Sequence, residues 1–531
     1  MDRSEDGQFG WPWLSPIRKD RLMGQVIIIR RSANLIEISN DGTSPLDQTS
    51  RDLLEPRLTY THQKYLRGPD RIDPISGYTK GPFAFEEKRL FKYDGKGRFV
   101  CGIGFFKKIV DLLSKSGASI STVNTDPTHP RIRRFEEDWD NVAQTVNFRP
   151  KQADCLVNIS ANEYGTIKAP TGFGKGMIIA MVCLLYPYAK IHVVTPSKDL
   201  VAKTVALLTK FLPNIGQVGC GKKRIERITV FSADSLHLSD GDADIMLADE
   251  IHQLAAPTYS DSLAKYKYSR NFGFSATPTG RQDGADAKLE SLFGSMIFEL
   301  SYQEAVNLGL VVDITVDWLD VRMSMNPCEG KKDTSKKRWG IWRNETRNKI
   351  IADKALSYDT NDQVLILVET IEHLLFLRKL LPGFESCYSE NGLKSSDIDL
   401  YKRWGLMEPM EEPIKVKERE QLRKNFETGL IKKVIATSVW ATGVDFEQLA
   451  VLIRADAMGS EIMDIQAPGR VSRRNTKGEK EVGIVVDCRD QFDDGLRRKA
   501  LGRQKSYESN GWTQLISTTK IRNFPHANAR L

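Results

Sequence analysis

Two parallel-sheet α/β lobes behind a small α+β N-terminal domain are predicted by three features of the sequence. Apolar runs alternate with loops and helix-like segments from about 146 to 305, and again from 345 to 500. A glycine-rich loop at 169–176 runs into the longest apolar segment, 177–186, as a loop feeding a buried helix would. Residues 1–145 lack that alternation and carry turn signals instead.

The N-terminal region has turn dipeptides at Gly68-Pro69, Asp73-Pro74 and Gly81-Pro82. Residues 98–101 read as a strand. Residues 105–116 read as an amphipathic helix, with Leu112 and Leu113 inward and Lys107, Lys108 and Lys115 wet. The first lobe has strand-like runs at 191–194, 228–231, 245–248 and 271–274. A linker is expected at 306–344, with a polar, lysine-rich loop at 326–337. The second lobe has strand-like runs at 364–368, 433–436, 451–453 and 483–486, and 501–531 reads as a basic tail. In parallel sheets of this kind the reactive loops leave the carboxyl ends of the strands.

The chain has 531 residues, which suggests about three domains, and 40% of them are hydrophobic. No apolar run approaches the ~18 residues of a membrane span, and residues 1–6 do not read as a secretory signal. Seven cysteines are scattered without a CxxC pair, which predicts a reducing, cytoplasmic setting and no zinc site. A net charge of +8 permits a polyanionic partner, while solvated lysines and arginines are the plainer account of it.

The chemistry is concentrated in two segments. Ala169, Pro170, Thr171, Gly172, Phe173, Gly174, Lys175 and Gly176 form a loop whose backbone N–H groups would wrap a polyphosphate, with Lys175 neutralising the β- and γ-phosphates. Some seventy residues on, a short apolar run delivers Asp249-Glu250-Ile-His252, placing Asp249 for a magnesium ion and Glu250 for an attacking water. Gln152 precedes the loop, and its amide suits an adenine edge, although alone it would be an ordinary surface residue. Ser275 and Thr277 follow a strand, where hydroxyls would couple nucleotide to lobe movement. Gln466, Arg470 and Arg473 read as a helix start with two arginines on one face, suited to an arginine finger. Without the loop, two solvated arginines would suffice as an explanation.

With these residues the chain resembles the superfamily 2 helicases of DEAD/DEAH type over about 146–500. The ordered segments are Gln152, 169–175, Thr195-Pro196, 232–236, 249–252, 275–277, 437–445 and 466–473. The resemblance implies two RecA-like lobes with ATP and Mg²⁺ between them. It assigns Gly443 and Asp445 to the nucleotide, and His252 and Gln466 to coupling. It assigns Thr195, Pro196, Ser232 and Thr437 to nucleic-acid phosphates. Residues 91–99 and 104–108 look like the accessory domain of bacteriophage UvsW-type helicases, and the core is also similar to XPB- and RadD-like translocases. This implies remodelling of branched DNA, R-loops or D-loops alongside replication or recombination proteins, in the host cytoplasm if the chain is phage-encoded. Lys92, Lys96, Arg98, Lys107 and Lys108 are then expected to form a basic DNA-facing surface, or else to belong to a packing module.

One position departs from the family pattern. Gly176 stands where a serine or threonine hydroxyl usually ligates magnesium. This opens a second reading, a nucleotide-gated nucleic-acid-binding protein with weak hydrolysis. A third is the motor subunit of a restriction or defence complex. Asp73 with Glu86, Glu87 and Lys88 has the outline of a metal-dependent nuclease, though a solvated charge run explains it more simply.

Overall fold

The computed structural model describes residues 26–517 apart from 32–33, 66–82, 125–135, 240, 256–258, 260–261, 264–265, 267, 279–285, 441–445, 460 and 475–479. Gly68-Pro69, Asp73-Pro74, Gly81-Pro82, Gly443 and Asp445 lie outside the described residues.

The N-terminal domain is a five-stranded sheet of β1 (Val26–Arg31), β2 (Leu35–Asn40), β5 (Phe91–Tyr93), β6 (Phe99–Gly102) and β7 (Ser119–Asn124). A separate hairpin consists of β3 (Thr59–Tyr65) and β4 (Phe83–Arg89). The order is β5-β6-β2-β1-β7, antiparallel except where β1 pairs with β7. Ile27, Ile29, Ile36 and Ile38 are buried, the period of two expected of a sheet with one covered face. The cover is the helix Phe106–Lys115, through Ile109 and Leu113.

The first lobe holds β8 (Tyr164–Lys168), β9 (Ile191–Thr195), β10 (Ile215–Gly219), β11 (Lys222–Arg224), β12 (Ile228–Ser232), β13 (Ile245–Asp249), β14 (Arg270–Ser275) and β15 (Met296–Glu299). Their order is β11-β10-β12-β9-β13-β14-β8-β15, parallel but for the short edge strand β11. The helix Lys175–Leu185 is buried along nearly its whole length, as its unbroken apolar sequence requires. The helix Trp139–Thr145 also belongs here, because Val142 and Val146 enter this lobe's core.

The second lobe is wholly parallel. It consists of β16 (Asp313–Val321), β17 (Val364–Leu367), β18 (Glu385–Cys387), β19 (Lys433–Ala436), β20 (Val451–Arg454), β21 (Val482–Asp490) and β22 (Thr513–Ser517), in the order β18-β19-β17-β20-β21-β16-β22. With both lobes described, the architecture is two RecA-like lobes and a small accessory domain.

The structure redraws three boundaries. The expected linker at 306–344 contains β16, an interior strand of the second sheet. Its aspartates hid it from a hydropathy reading, yet they are paired: Lys354 reaches Asp317 at 2.6 Å and Arg489 reaches Asp320 at 2.6 Å. The loop expected at 326–337 ends in a helix, Asp333–Lys337, which runs into a π-helical turn at Arg338–Trp342. The expected tail at 501–531 begins later, since the helix Asp494–Ser509 and β22 complete the second lobe. Arg503 is buried in a two-pronged pair with Asp487 at 2.8 and 2.9 Å, a use of arginine that charge counting reads as solvated tail.

The N-terminal domain shares one hydrophobic core with the first lobe, where Ile103 and Phe105 are continuous with Tyr164, Leu289 and Phe293. A Cβ on Gly102 would strike the Ser291 side chain, and one on Gly104 would strike the Glu290 carbonyl, so the two backbones touch. Lys108 pairs with Glu290 of the lobe at 2.8 Å, Arg31 with Glu163, and Lys107 donates to Asn162. Arg98 pairs with Glu37 at 2.7 Å and with Asp94 at 2.5 Å. Of the five residues expected to face DNA, Arg98, Lys107 and Lys108 therefore have partners within the protein, and the packing role fits Arg98 and Lys108, which are half-buried. Lys92, Lys96 and Lys107 stay exposed.

Candidate active site

β8 ends at the glycine-rich loop, and β13, two strands away across β14, ends at Asp249. Gly172 and Gly174 have φ of +96° and +95°, a left-handed backbone that glycine tolerates at no steric cost. The turn they make aims the loop at the start of the helix Lys175–Leu185. That places backbone N–H groups and the positive helix end together, the arrangement that binds phosphate. Lys175 curls over the loop, with Nζ donating to the Ala169 carbonyl at 3.1 Å.

Gln152 is buried; Nε2 donates to the Phe173 carbonyl at 3.0 Å and Oε1 accepts the Arg149 N–H at 3.0 Å. Each end of the amide spends one hydrogen bond on bracing the loop, which leaves a second N–H and a second oxygen lone pair. Arg149, in the same segment, donates to the Gly172 carbonyl at 2.8 Å and to the Leu310 carbonyl at 2.9 Å. Burial, followed by the nearby Arg473, pushes the Arg149 pKa down. Lys480 is pushed down to about 8 by the same two causes. Arg149 and Lys480 were not singled out from the sequence; Arg149 stands three residues before Gln152, while Lys480 carried no signal at all.

Asp249 is half-buried at the end of β13. Desolvation, with a contribution from Glu250, raises its carboxyl to about 7, and Lys175 pulls the other way. A carboxyl held uncharged by its neighbourhood is one that a divalent cation would ionise, so the site suits Mg²⁺. Glu250 has φ of +50°, the left-handed region that a non-glycine residue occupies under constraint. Its Oε2 is buried without a hydrogen-bond partner, 3.4 Å from His252 Nδ1. An acceptor so placed fits a water molecule that it would orient.

The absent hydroxyl at Gly176 has a packing correlate. A Cβ there would meet Leu207 Cδ2 at 3.0 Å, from the helix Lys198–Leu208. The two helices approach more closely than a side chain allows without a small shift.

The residues expected to couple the lobes form a connected set. His252 Nδ1 lies 3.0 Å from Ser275 Oγ, which accepts the Thr277 N–H at 3.0 Å. Gln466, from the second lobe, reaches His252 Nε2 at 3.0 Å and Thr277 Oγ1 at 3.4 Å. Gly469 faces Thr171 of the phosphate loop, where a Cβ would lie 3.7 Å from the threonine Cβ. Arg470 and Arg473 do not open a helix. They follow the helix Glu461–Gln466, in and just after the turn Pro468–Arg470; Arg470 is buried and Arg473 packs near Gly172.

The expected phosphate-contact hydroxyls are less available. Thr195 and Ser232 are buried at the ends of β9 and β12; Ser232 Oγ lies 2.8 Å from Ser235 Oγ, and Thr195 Oγ1 is within 3.5 Å of the Phe231 carbonyl. Pro196 is half-buried, and Thr437 is buried just past β19. What these turns can offer a strand is backbone N–H rather than hydroxyl. Glu86, Glu87 and Lys88 lie on β4, with Lys88 paired to Glu86 at 2.7 Å, and no metal-holding group of His, Cys, Asp and Glu occurs among the described residues. All seven cysteines are free, and no helix among the described residues is long and apolar enough to cross a membrane.

Comparison with known proteins gives two domain matches. The family described as "Type III restriction enzyme, res subunit" matches residues 145–280, and the helicase conserved C-terminal domain matches residues 347–475. The chain is 21% identical over 376 residues to the DNA 3′-5′ translocase XPB2 of Sulfurisphaera tokodaii, covering 65% of this chain and 83% of that one. It is 25% identical over 437 residues to the probable helicase D10 of Escherichia phage T5, covering 77% of this chain and 84% of that one. The crystal structure of T4 UvsW aligns with 93% of this chain and 99% of its own, at 14% identity and a TM-score of 0.38. The two matched domains fall one in each RecA-like lobe and support the resemblance to superfamily 2 helicases.

Proposed function

We propose that the protein is an ATP-dependent DNA helicase or translocase acting on branched DNA, R-loops or D-loops in phage replication, recombination or repair. The observation that carries the motor reading is the division of one site between two lobes. The phosphate loop, Asp249 and Glu250 lie on the first lobe, and Gln466, Arg470 and Arg473 come from the second.

In this reading Lys175 and the loop N–H groups hold the triphosphate of ATP, Arg149 braces the loop, and Asp249 would hold Mg²⁺. The ion supplies charge neutralisation between the phosphate oxygens. Glu250 orients the attacking water. Arg470 and Arg473 approach from the opposite lobe and stabilise charge on the transferred phosphoryl group. Loss of that group removes what the arginines grip. The His252–Ser275–Thr277–Gln466 set then separates, and the lobes reset. A strand held by both lobes is displaced because the two states differ in affinity for it.

A second reading, a nucleotide-gated binder with weak turnover, is favoured by Gly176. One assay separates them: phosphate release by the purified chain with single-stranded, duplex, forked and R-loop substrates. Turnover stimulated by nucleic acid and abolished in Lys175→Ala supports the motor. Turnover that Lys175→Ala leaves intact removes the site assignment, and absence of turnover supports the binder. The branched-DNA role stands if forked or R-loop substrates stimulate most.

A further inference from the structure

The segment that sequence reading treated as a polar loop ends in an aromatic and basic cluster outside the nucleotide site. Trp339 and Trp404 leave 43% and 38% of their surface in solvent. Arg343 lies between them, its guanidinium carbon 5.4 Å from the Trp339 ring centre and 4.6 Å from that of Trp404. Lys331 Nζ is 5.8 Å from the Trp339 ring centre, and Lys332 is exposed beside it in sequence. Two large indoles half in water contribute little to a core, so packing alone is a poor account of them.

The cluster is held rigidly. Arg338 and Arg343 both donate to Glu372, Arg338 at 3.2 Å, and Glu372 is buried at the start of the helix Ile371–Arg378. Trp342 Nε1 donates to Glu369 at 3.2 Å, and Lys337 pairs with the same carboxylate. Glu369 lies in the turn after β17 and Glu372 in the first turn of the helix that follows; β17 is the strand next to β19, whose own exit carries Thr437. All strands of this sheet are parallel, so the cluster stands on the same edge as the loops that carry the motor's chemistry.

We infer that Trp339, Arg343 and Trp404 form a stacking platform for unpaired bases of a single-stranded nucleic acid, with Lys331 and Lys332 meeting its phosphates. Flat aromatic faces are indifferent to base identity, and an arginine locked between them adds cation–π attraction. The surrounding lysines match a polyanion and disfavour an apolar peptide. The inference rests on the nucleic-acid reading above and adds where on the second lobe a melted strand leaves the motor.

The test uses the full chain and fluorescence anisotropy of a labelled oligothymidylate of about 20 nucleotides, long enough for such a site. A blunt duplex serves as the parallel probe. Trp339→Phe keeps a stackable ring and Trp339→Leu keeps only apolar bulk. Wild type and Trp339→Phe should bind the oligothymidylate alike, and Trp339→Leu about tenfold more weakly, with duplex binding changed less than about twofold. Should Trp339→Leu lower the melting midpoint, Trp404→Leu replaces it, with the same expected loss. Equal binding by the leucine variant and wild type overturns the platform and leaves the motor reading standing. Equal loss on oligothymidylate and duplex also overturns it. Absence of nucleic-acid binding by wild type overturns both.

Discussion

Gln466 Nε2 lies 3.0 Å from His252 Nε2, so the helix ahead of the second lobe's arginines touches the turn that follows Asp249 and Glu250. One hydrogen bond and its neighbours at Ser275 and Thr277 thus join the two lobes beside the candidate phosphate site.

Cutting that contact should uncouple the lobes without emptying the site. Gln466→Ala is expected to lower nucleic-acid-stimulated ATP turnover about tenfold while nucleotide affinity changes little. In a double-mutant cycle, Gln466→Ala with His252→Ala should cost no more than either alone, a coupling of about 1 kcal/mol. Fully additive losses would show that the pair does not act as a unit.

Asp249 makes stability depend on pH in a known direction. Its folded pKa of about 7 exceeds the ordinary 3.8, so the fold keeps a proton that the unfolded chain releases. Its contribution is complete below about pH 4, declines as pH rises, and is lost above about pH 7. Asp249→Asn should therefore abolish ATP turnover and yet raise stability at pH 8 by on the order of 2 kcal/mol, read as a higher melting midpoint. At pH 4 mutant and wild type should melt together. A lower midpoint for the mutant at pH 8 would contradict a carboxylate destabilised by its surroundings.

Gly176→Ser restores a hydroxyl beside the phosphate loop. Leu207 must give by a few tenths of an ångström, which sets against the ~0.5 kcal/mol gained by removing a glycine from a helix. Stability should move by less than about 1 kcal/mol. The Mg²⁺ concentration for half-maximal turnover should fall several-fold, read from ATP hydrolysis in a metal titration. An unchanged requirement would mean that water already fills that ligand position well.

Gly104→Ala places a carbon against the Glu290 carbonyl and should cost about 3 kcal/mol or more in denaturant unfolding. Lys92→Ala and Lys96→Ala, on the exposed surface, should each stay within about 0.5 kcal/mol. A tolerated Gly104→Ala would show that the domain contact is looser than it looks.

The parallel strands were legible because burial on both faces forces continuous apolar runs, as at Ile245–Asp249 and Val364–Leu367. β16 was not, because Asp313, Asp317 and Asp320 interrupt its run, and two of them are neutralised by residues distant in sequence. The phosphate loop could be read from spacing, since glycine and lysine there answer to local geometry. The tasks of Gln152, Arg98 and Lys108 could not. A hydrogen bond to a carbonyl 21 residues away, or an ion pair with Glu290, exists only once the chain is folded.

Glycines 102 and 104 weld the accessory domain to the first lobe as a single chassis. Any stroke driven by nucleotide must then swing the second lobe alone. On the proposed reading, a duplex resting against the accessory domain would keep a fixed distance from the phosphate loop throughout the cycle. The fork would be worked by pulling a strand past a stationary frame.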